Sequence, residues 1–420
     1  MTMGVGDGWV RPGVHFIGGW LTSASGVVRS FILGVLISST LFSCATTSVP
    51  PHVENVLFIS GRDGYHTYRI PALITSQEGT LLAFCEGRKN SSSDTGDIDL
   101  LLRRSTDGGR TWGPVQVVWD DPGNVCGNPC PVVDEETGTI WLFLTHNLGE
   151  DNETEIIKRS ARSTRTVWVL RSIDDGLSWS MPRDVTATTK NPEWSWYATG
   201  PGVGIQIRNG PHSGRLVIPC DHSYYREDGS DDYGSHVIYS DDGGDTWHLG
   251  GVVRPKSNEC QIVELADGRG TLLLNMRSYF ERNRRTHAWS RDGGATWTEP
   301  RDVEALIEPV CQASLIRYSW PEDFTTIDGA NGTLVFSNPA SRERANLTVR
   351  LSHDDGETWP VMRTLFAGRS AYSCLAVLQD GRVGCVYERG GKTPYEVIMF
   401  SAFTLDWLRG IEVERRNPAD

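Results

Sequence analysis

The sequence holds no paired CxxC motifs at zinc-site spacing, no HExxH, no phosphate-binding P-loop and no GxSxG. The short signatures of metallohydrolases, nucleotide-triphosphate enzymes and serine hydrolases are therefore missing. No long stretch of helical periodicity occurs, which directs the reading toward β structure. No apolar run reaches the length needed to cross a bilayer as a helix. Positive charge is in short supply: 40 Lys and Arg stand against 53 Asp and Glu, a formal net charge of −13. That balance argues against nucleic acid as a partner. An acidic protein can still take an anionic ligand if its arginines converge in one pocket, so particular arginines have to be found. What the chain does have is Gly (45), Trp (15) and 22% charged residues, a globular composition and not a disordered one.

Near the N-terminus, Arg29 precedes an apolar run from Phe31 to Phe42, the length of a signal-peptide core. The run ends in Leu41-Phe42-Ser43-Cys44, which resembles a bacterial lipoprotein box with Cys44 as the lipidation candidate. The expectation is an export segment over 1–49, with an ordinary cleaved signal as the alternative. The protein is then periplasmic, membrane-anchored as a lipoprotein, or secreted, and its only expected membrane contact is that lipid anchor. The other eight cysteines are scattered through apolar segments such as LLAFC and VGCVY. Buried free thiols are the favoured reading, with a Cys126–Cys130 pair left open. Sequons at Asn90, Asn152, Asn331 and Asn346 are not expected to carry glycan behind such a segment.

An octad S-x-D-x-G-x-[TS]-W recurs five times, at Ser105–Trp112, Ser172–Trp179, Ser240–Trp247, Ser290–Trp297 and Ser352–Trp359. The starts are 67, 68, 50 and 62 residues apart. Asp can bond back to its local backbone and Gly accepts positive φ, so each octad reads as a hairpin turn. Its closing Trp is a large apolar plug for a neighbouring strand. Between octads lie short β-like runs, including TIWLFLTH, RLVIPCDH and TLLLNMRS. A repeat of roughly 60 residues holding about four strands indicates a β-propeller blade, and the length after the export segment accommodates about six. The expected fold is all-β: a six-bladed β-propeller over 50–415.

The octads resemble the Asp boxes of sialidases and related propellers, and their aspartates are given a structural role. Further fragments resemble the sialidase family in the family's order. These are Tyr68-Arg69-Ile70-Pro71, EGR at Glu86–Arg88 with Asp94 after it, and NEC at Asn258–Cys260. NMRS at Asn275–Ser278, RANLTVR at Arg344–Arg350, AYS at Ala371–Ser373 and YE at Tyr387–Glu388 follow. The resemblance spans about 55 to 403. It implies an exo-α-sialidase, a glycoside hydrolase that removes terminal sialic acid from glycans with retention of configuration. No cofactor or metal is called for, and sialylated glycans are the implied partners.

The chemistry accounts for the residue types. Sialic acid carries a carboxylate on its anomeric carbon, and arginine pairs with a carboxylate through a planar, always-charged fork. The resemblance assigns this clamp to Arg69, Arg277 and Arg344, with Arg342 and Arg350 as neighbours of the third. A carboxylate nucleophile would be repelled by the substrate's own carboxylate, and sialidases are among the known users of a tyrosine instead. Tyr372 is the matching nucleophile and Glu259 the base that a phenol requires. Asp94 is the matching acid, with Asp97 and Asp99 as competitors. Arg88 is implied near the substrate ring or carboxylate, and Glu388 as the partner that orients the first arginine. Trp194, Trp196 and Tyr197 read as core or as an aromatic platform beside the pocket, core being favoured. Two alternatives remain: a non-catalytic Asp-box propeller that binds glycans or proteins, and a trans-sialidase using the same residues.

Overall fold

The computed structural model describes residues 51–321 and 332–411. The expected export segment with Cys44, and the sequon at Asn331, lie outside the described residues. The described chain is all-β, and its three helices are only four or five residues long. No helix among the described residues is long and apolar enough to cross a membrane.

Antiparallel meanders follow one another along the chain. Thr67–Thr75, Leu81–Arg88, Ile98–Ser105 and Gln116–Trp119 form the first. The second runs from Val125–Val133 through Ile140–Asn147 and Thr166–Ser172 to Arg183–Asp184. In the next, Tyr197–Thr199 and Ile205–Gln206 both pair with Leu216–Tyr225, which continues to Asp231–Ser240 and His248–Val253. Ser257–Glu264, Leu272–Ser278, Arg284–Ser290 and Arg301–Ile307 repeat the pattern. Ser314–Ser319, Thr333–Pro339 and Ala345–Ser352 lead to the 17-residue strand Val361–Val377. The second half of that strand starts a final meander with Val383–Gly390 and Val397–Phe403. The last strand of this meander is supplied from the other end of the described chain, by His52–Ile59. Val397–Phe403 is thus paired on both sides and not left as an open edge.

The octads are the turns that fix each meander to its neighbour. In the third, Asp242 Oδ1 accepts from Ser240 Oγ at 2.7 Å and from the Thr246 N–H at 2.9 Å. Oδ2 accepts from Thr246 Oγ1 at 2.6 Å, and Ser240 Oγ accepts from the Gly244 N–H at 2.8 Å. Gly244 has φ +99, and a Cβ there would lie 2.2 Å from the Trp141 indole of the preceding meander. Both facts require glycine. The octad tryptophans pack across the same seam. Trp112 meets Phe400, Trp179 meets Phe84 and Trp247 meets Phe143, edge-on at centroid distances of 5.1, 5.7 and 4.5 Å, a favoured aromatic geometry. The eight described cysteines are all buried and free. The Cys126–Cys130 pair therefore does not form, and the buried-thiol reading holds.

The first strand of several meanders breaks register at one end. The ladder slips between Arg69 and Ala72, Gly127 and Cys130, Ser257 and Cys260, and Ser370 and Ser373. Bulges of this kind bend a strand and re-aim its side chains. Here they collect at the mouth of one cavity.

Candidate active site

That cavity has a volume of about 350 Å³ and is strongly polar. Its wall includes Arg69, Arg88, Asp94, Glu259, Arg277, Arg344 and Tyr372, contributed by segments more than 300 residues apart in sequence. Every catalytic and substrate-binding residue expected from the sequence is here except Glu388, which stands directly behind. A second cavity, near the opposite ends of the same first strands, is walled mainly by aliphatic residues such as Leu73, Val132, Val263 and Leu315.

Tyr372 is buried in the Val361–Val377 strand, and its hydroxyl donates a short hydrogen bond to Glu259 Oε1. Burial and the Glu259 charge hold the phenol well above its ordinary pKa, against the pull of Arg277 and Arg344. The tyrosine is therefore a neutral phenol with a proton acceptor already in contact. Arg277 Nη1 donates to Glu259 Oε2 at 2.7 Å and reaches the Tyr372 hydroxyl at 3.5 Å. Arg344 donates to the Tyr395 hydroxyl at 2.7 Å, and its guanidinium lies 5.6 Å from the Tyr372 ring centre. Arg69 stacks over Tyr395 at 4.0 Å and over Tyr372 at 5.1 Å. Three guanidinium groups thus surround one phenol.

Glu388 is fully buried and accepts from Arg69 Nε at 2.7 Å, the Ile70 N–H at 2.9 Å and the Tyr372 N–H at 3.0 Å. One carboxylate therefore ties an arginine and the tyrosine backbone to a common point. Ile70 itself has φ +57. This region disfavours a β-branched residue, and such strain is stored chiefly at functional sites.

Asp94 lies at the cavity mouth on an exposed loop and accepts from Arg88 Nη2 at 2.5 Å. Desolvation pushes its carboxyl up, but Arg88, Arg69 and Arg165 together hold it below the ordinary carboxylate range. Its competitors are engaged elsewhere. Lys89 Nζ bridges Asp97 and Asp99 at 2.9 Å each, and the Tyr65 hydroxyl donates to Asp99 at 2.6 Å. This lysine fills the centre of the Asp97–Asp99–Asp120 cluster, the place a cation would take. Arg88 is itself fixed by Glu86, which receives its Nε and Nη2 at 2.9 and 2.6 Å.

The neighbouring arginines separate cleanly. Arg342 is exposed, and Arg350 points to the Met362 sulfur at 3.1 Å. Trp194 and Tyr197 are core, as favoured from sequence, with Trp194 stacked on His222 at 3.6 Å. Trp196 instead lines the cavity, with the Arg165 guanidinium 3.9 Å above its ring.

Several wall residues went unmarked in the sequence: Glu153 on the short helix Glu153–Ile157, Arg165, Asp221, Tyr279 and Tyr395. None sits in a spaced motif. For Asp221 the one available signal was an acidic residue inside the apolar strand RLVIPCDH.

Residues 79–385 match the family described as BNR repeat-like domain. A sialidase of Micromonospora viridifaciens is 38% identical over 373 residues, covering 86% of this chain and 55% of the relative. A sialidase of Bacteroides fragilis is 33% identical, covering 78% of this chain and 61% of the relative. The chain thus spans a little over half the length of these two bacterial relatives. Sialidase-2 of Mus musculus is 33% identical over 367 residues, with 82% of this chain and 94% of the relative covered. Among solved structures, the Hadza microbial sialidase Hz136 superposes with a TM-score of 0.73 at 35% identity, over 83% of this chain and 68% of that one. The fold shared with these proteins is a β-propeller, and the chain belongs to the sialidase family.

Proposed function

We propose that the protein is an exo-α-sialidase that hydrolyses terminal sialic acid from glycans with retention of configuration, through a glycosyl–tyrosine intermediate on Tyr372. The observation that carries this reading is the Tyr372–Glu259 contact enclosed by Arg69, Arg277 and Arg344. A pure binding module has no use for a phenol in contact with a base. The arginines take the substrate carboxylate. Its negative charge would repel a carboxylate nucleophile but not a neutral phenol. Glu259 accepts the phenolic proton as Tyr372 bonds to the anomeric carbon, so the attacking oxygen need not ionise first. Asp94 gives its proton to the leaving glycosidic oxygen, then takes one from the water that cleaves the intermediate.

In the empty site Asp94 is held below the ordinary carboxylate range, so it must first take a proton from solvent to act as the acid. Substrate carboxylate on Arg69 cancels part of the positive field that keeps Asp94 ionised. We also propose that the successive meanders are the blades of a six-bladed propeller domain, expected over 50–415, with His52–Ile59 completing the last. We further propose export through the 1–49 segment, with lipidation at Cys44 as the anchored form.

A mechanism-based fluorinated sialic acid analogue tests the nucleophile. Mass spectrometry should find the adduct on the peptide containing Tyr372 and none on a Tyr372→Phe variant. An adduct on another residue would overturn the assignment.

A further inference from the structure

The proposed mechanism leaves one buried titratable group of the cavity without a task. Asp221, on the Leu216–Tyr225 strand, is 1% exposed and lines the same cavity as Glu259. Oδ1 accepts from Asn258 Nδ2 at 2.8 Å. Oδ2 is buried and has no hydrogen-bond partner. Buried polar atoms in folded proteins are nearly always paired, so an orphan on a residue of the cavity wall asks for a partner.

The charged groups around it are Glu259 on the Ser257–Glu264 strand, Arg277 on Leu272–Ser278, Glu153 on the short helix, and Arg165. Its ladder partners, Ala198 and Ser235, carry no charge. Two carboxylates are among these neighbours, and the single hydrogen bond it receives comes from a neutral amide. Burial, then Glu259, drives its carboxyl well above the ordinary range, with Arg277 and Arg165 opposing. Both causes favour the protonated form of the group. With Oδ1 committed as acceptor to Asn258, its proton belongs on Oδ2, where no protein acceptor receives it.

We infer that Asp221 is a specificity-determining residue that donates a hydrogen bond from Oδ2 to an uncharged oxygen of the bound sugar, a hydroxyl or an acyl carbonyl. This rests on the sialidase reading of the cavity. Asp221 shares the wall with Glu153 and Arg165 as well as with Glu259 and Arg277. Donating this bond requires a proton on Oδ2, which the ionised carboxylate lacks.

The test compares full-length wild type, Asp221→Asn and Asp221→Ala on a fluorogenic aryl α-sialoside, with kcat and KM followed into the alkaline range and Kd of the same sialoside measured by calorimetry in the Tyr372→Phe background of each, where turnover is slow. The asparagine keeps an acceptor for Asn258 and offers an N–H where the acid offered O–H. It should hold KM and Kd within about threefold of wild type, whereas alanine should raise both by about tenfold with little change in kcat, the scale of one neutral hydrogen bond. Wild-type affinity should fall as Asp221 loses its proton at alkaline pH, and that fall should be absent in Asp221→Asn. Unchanged affinity in Asp221→Ala, or the same alkaline loss in Asp221→Asn as in wild type, would overturn the inference. Where the alanine variant does not fold, the asparagine pH profile alone decides. A wild type that binds the sialoside without cleaving it would strike at the hydrolytic reading, and the Kd comparison would still judge Asp221. A folded wild type that neither binds nor cleaves would overturn both.

Discussion

In the proposed mechanism a phenol attacks at neutral pH and needs somewhere to send its proton, and Tyr372 has Glu259 in contact. Removing the hydroxyl in Tyr372→Phe should lower turnover of a fluorogenic sialoside by roughly a hundredfold or more while circular dichroism stays unchanged, since the ring and its packing remain. Asp94 gives a prediction of different form. A group held below the ordinary carboxylate range in the free enzyme is mostly ionised at neutral pH, and its acid form grows as pH falls. For a glycan leaving group, kcat/KM should therefore rise from about pH 8 toward about pH 5. Asp94→Asn should flatten that rise and penalise glycan substrates more than aryl sialosides, whose leaving group needs little protonation. Glu388 is a positioning residue. Losing it leaves Arg69 buried beside two unpaired backbone N–H groups. Glu388→Ala should cost about 3 kcal/mol in denaturant unfolding and raise KM. At this scale the sequence was readable wherever a residue sat in a family phrase, as Arg69, Glu259 and Tyr372 do. It was unreadable for Asp221, Glu153, Arg165 and Tyr395. Each is a single polar residue among others, and only the folding of distant strands makes them neighbours. The choice of Arg344 over its neighbours Arg342 and Arg350 rested on the family phrase alone, and burial and the Tyr395 and Met362 contacts now separate the three.

Among the elements, the octad turns and the register breaks divide the labour: the first hold the meanders together, the second aim the chemistry. The turns were plain in the sequence because S-x-D-x-G-x-[TS]-W is local and periodic. The breaks at Arg69, Gly127, Ser257 and Ser370 were not, because a bulge is a relation between two strands and neither strand spells it. The turns make an acid-stability prediction. The octad aspartates Asp107, Asp174, Asp242, Asp292 and Asp354 are all held below their ordinary pKa, by hydrogen bonds that outweigh any desolvation. For Asp242 the value is about 2. Such groups favour the folded state above the unfolded pKa near 4, and that contribution is lost as pH falls from about 4 toward about 2. Thermal melts should show the melting temperature dropping steeply through that window. Asp242→Ala should cost about 1–2 kcal/mol at neutral pH, since it removes several local hydrogen bonds at once.

At the scale of the whole molecule, residues from Arg69 to Glu388 meet because the sheets curl and His52–Ile59 completes the last meander. Deleting that strand should expose the edge of Val397–Phe403 and yield protein that aggregates on size-exclusion chromatography, without a cooperative melt. The same closure places Tyr372 in contact with Glu259 and Asp94 at the mouth, the arrangement the proposed mechanism uses. The most direct measurement of that arrangement is proton NMR of the first product formed from a synthetic α-sialoside. Two successive displacements through Tyr372 predict α-configured sialic acid at early times, with the β-anomer appearing only by slow mutarotation. β-Configured sialic acid as the first product would contradict the account.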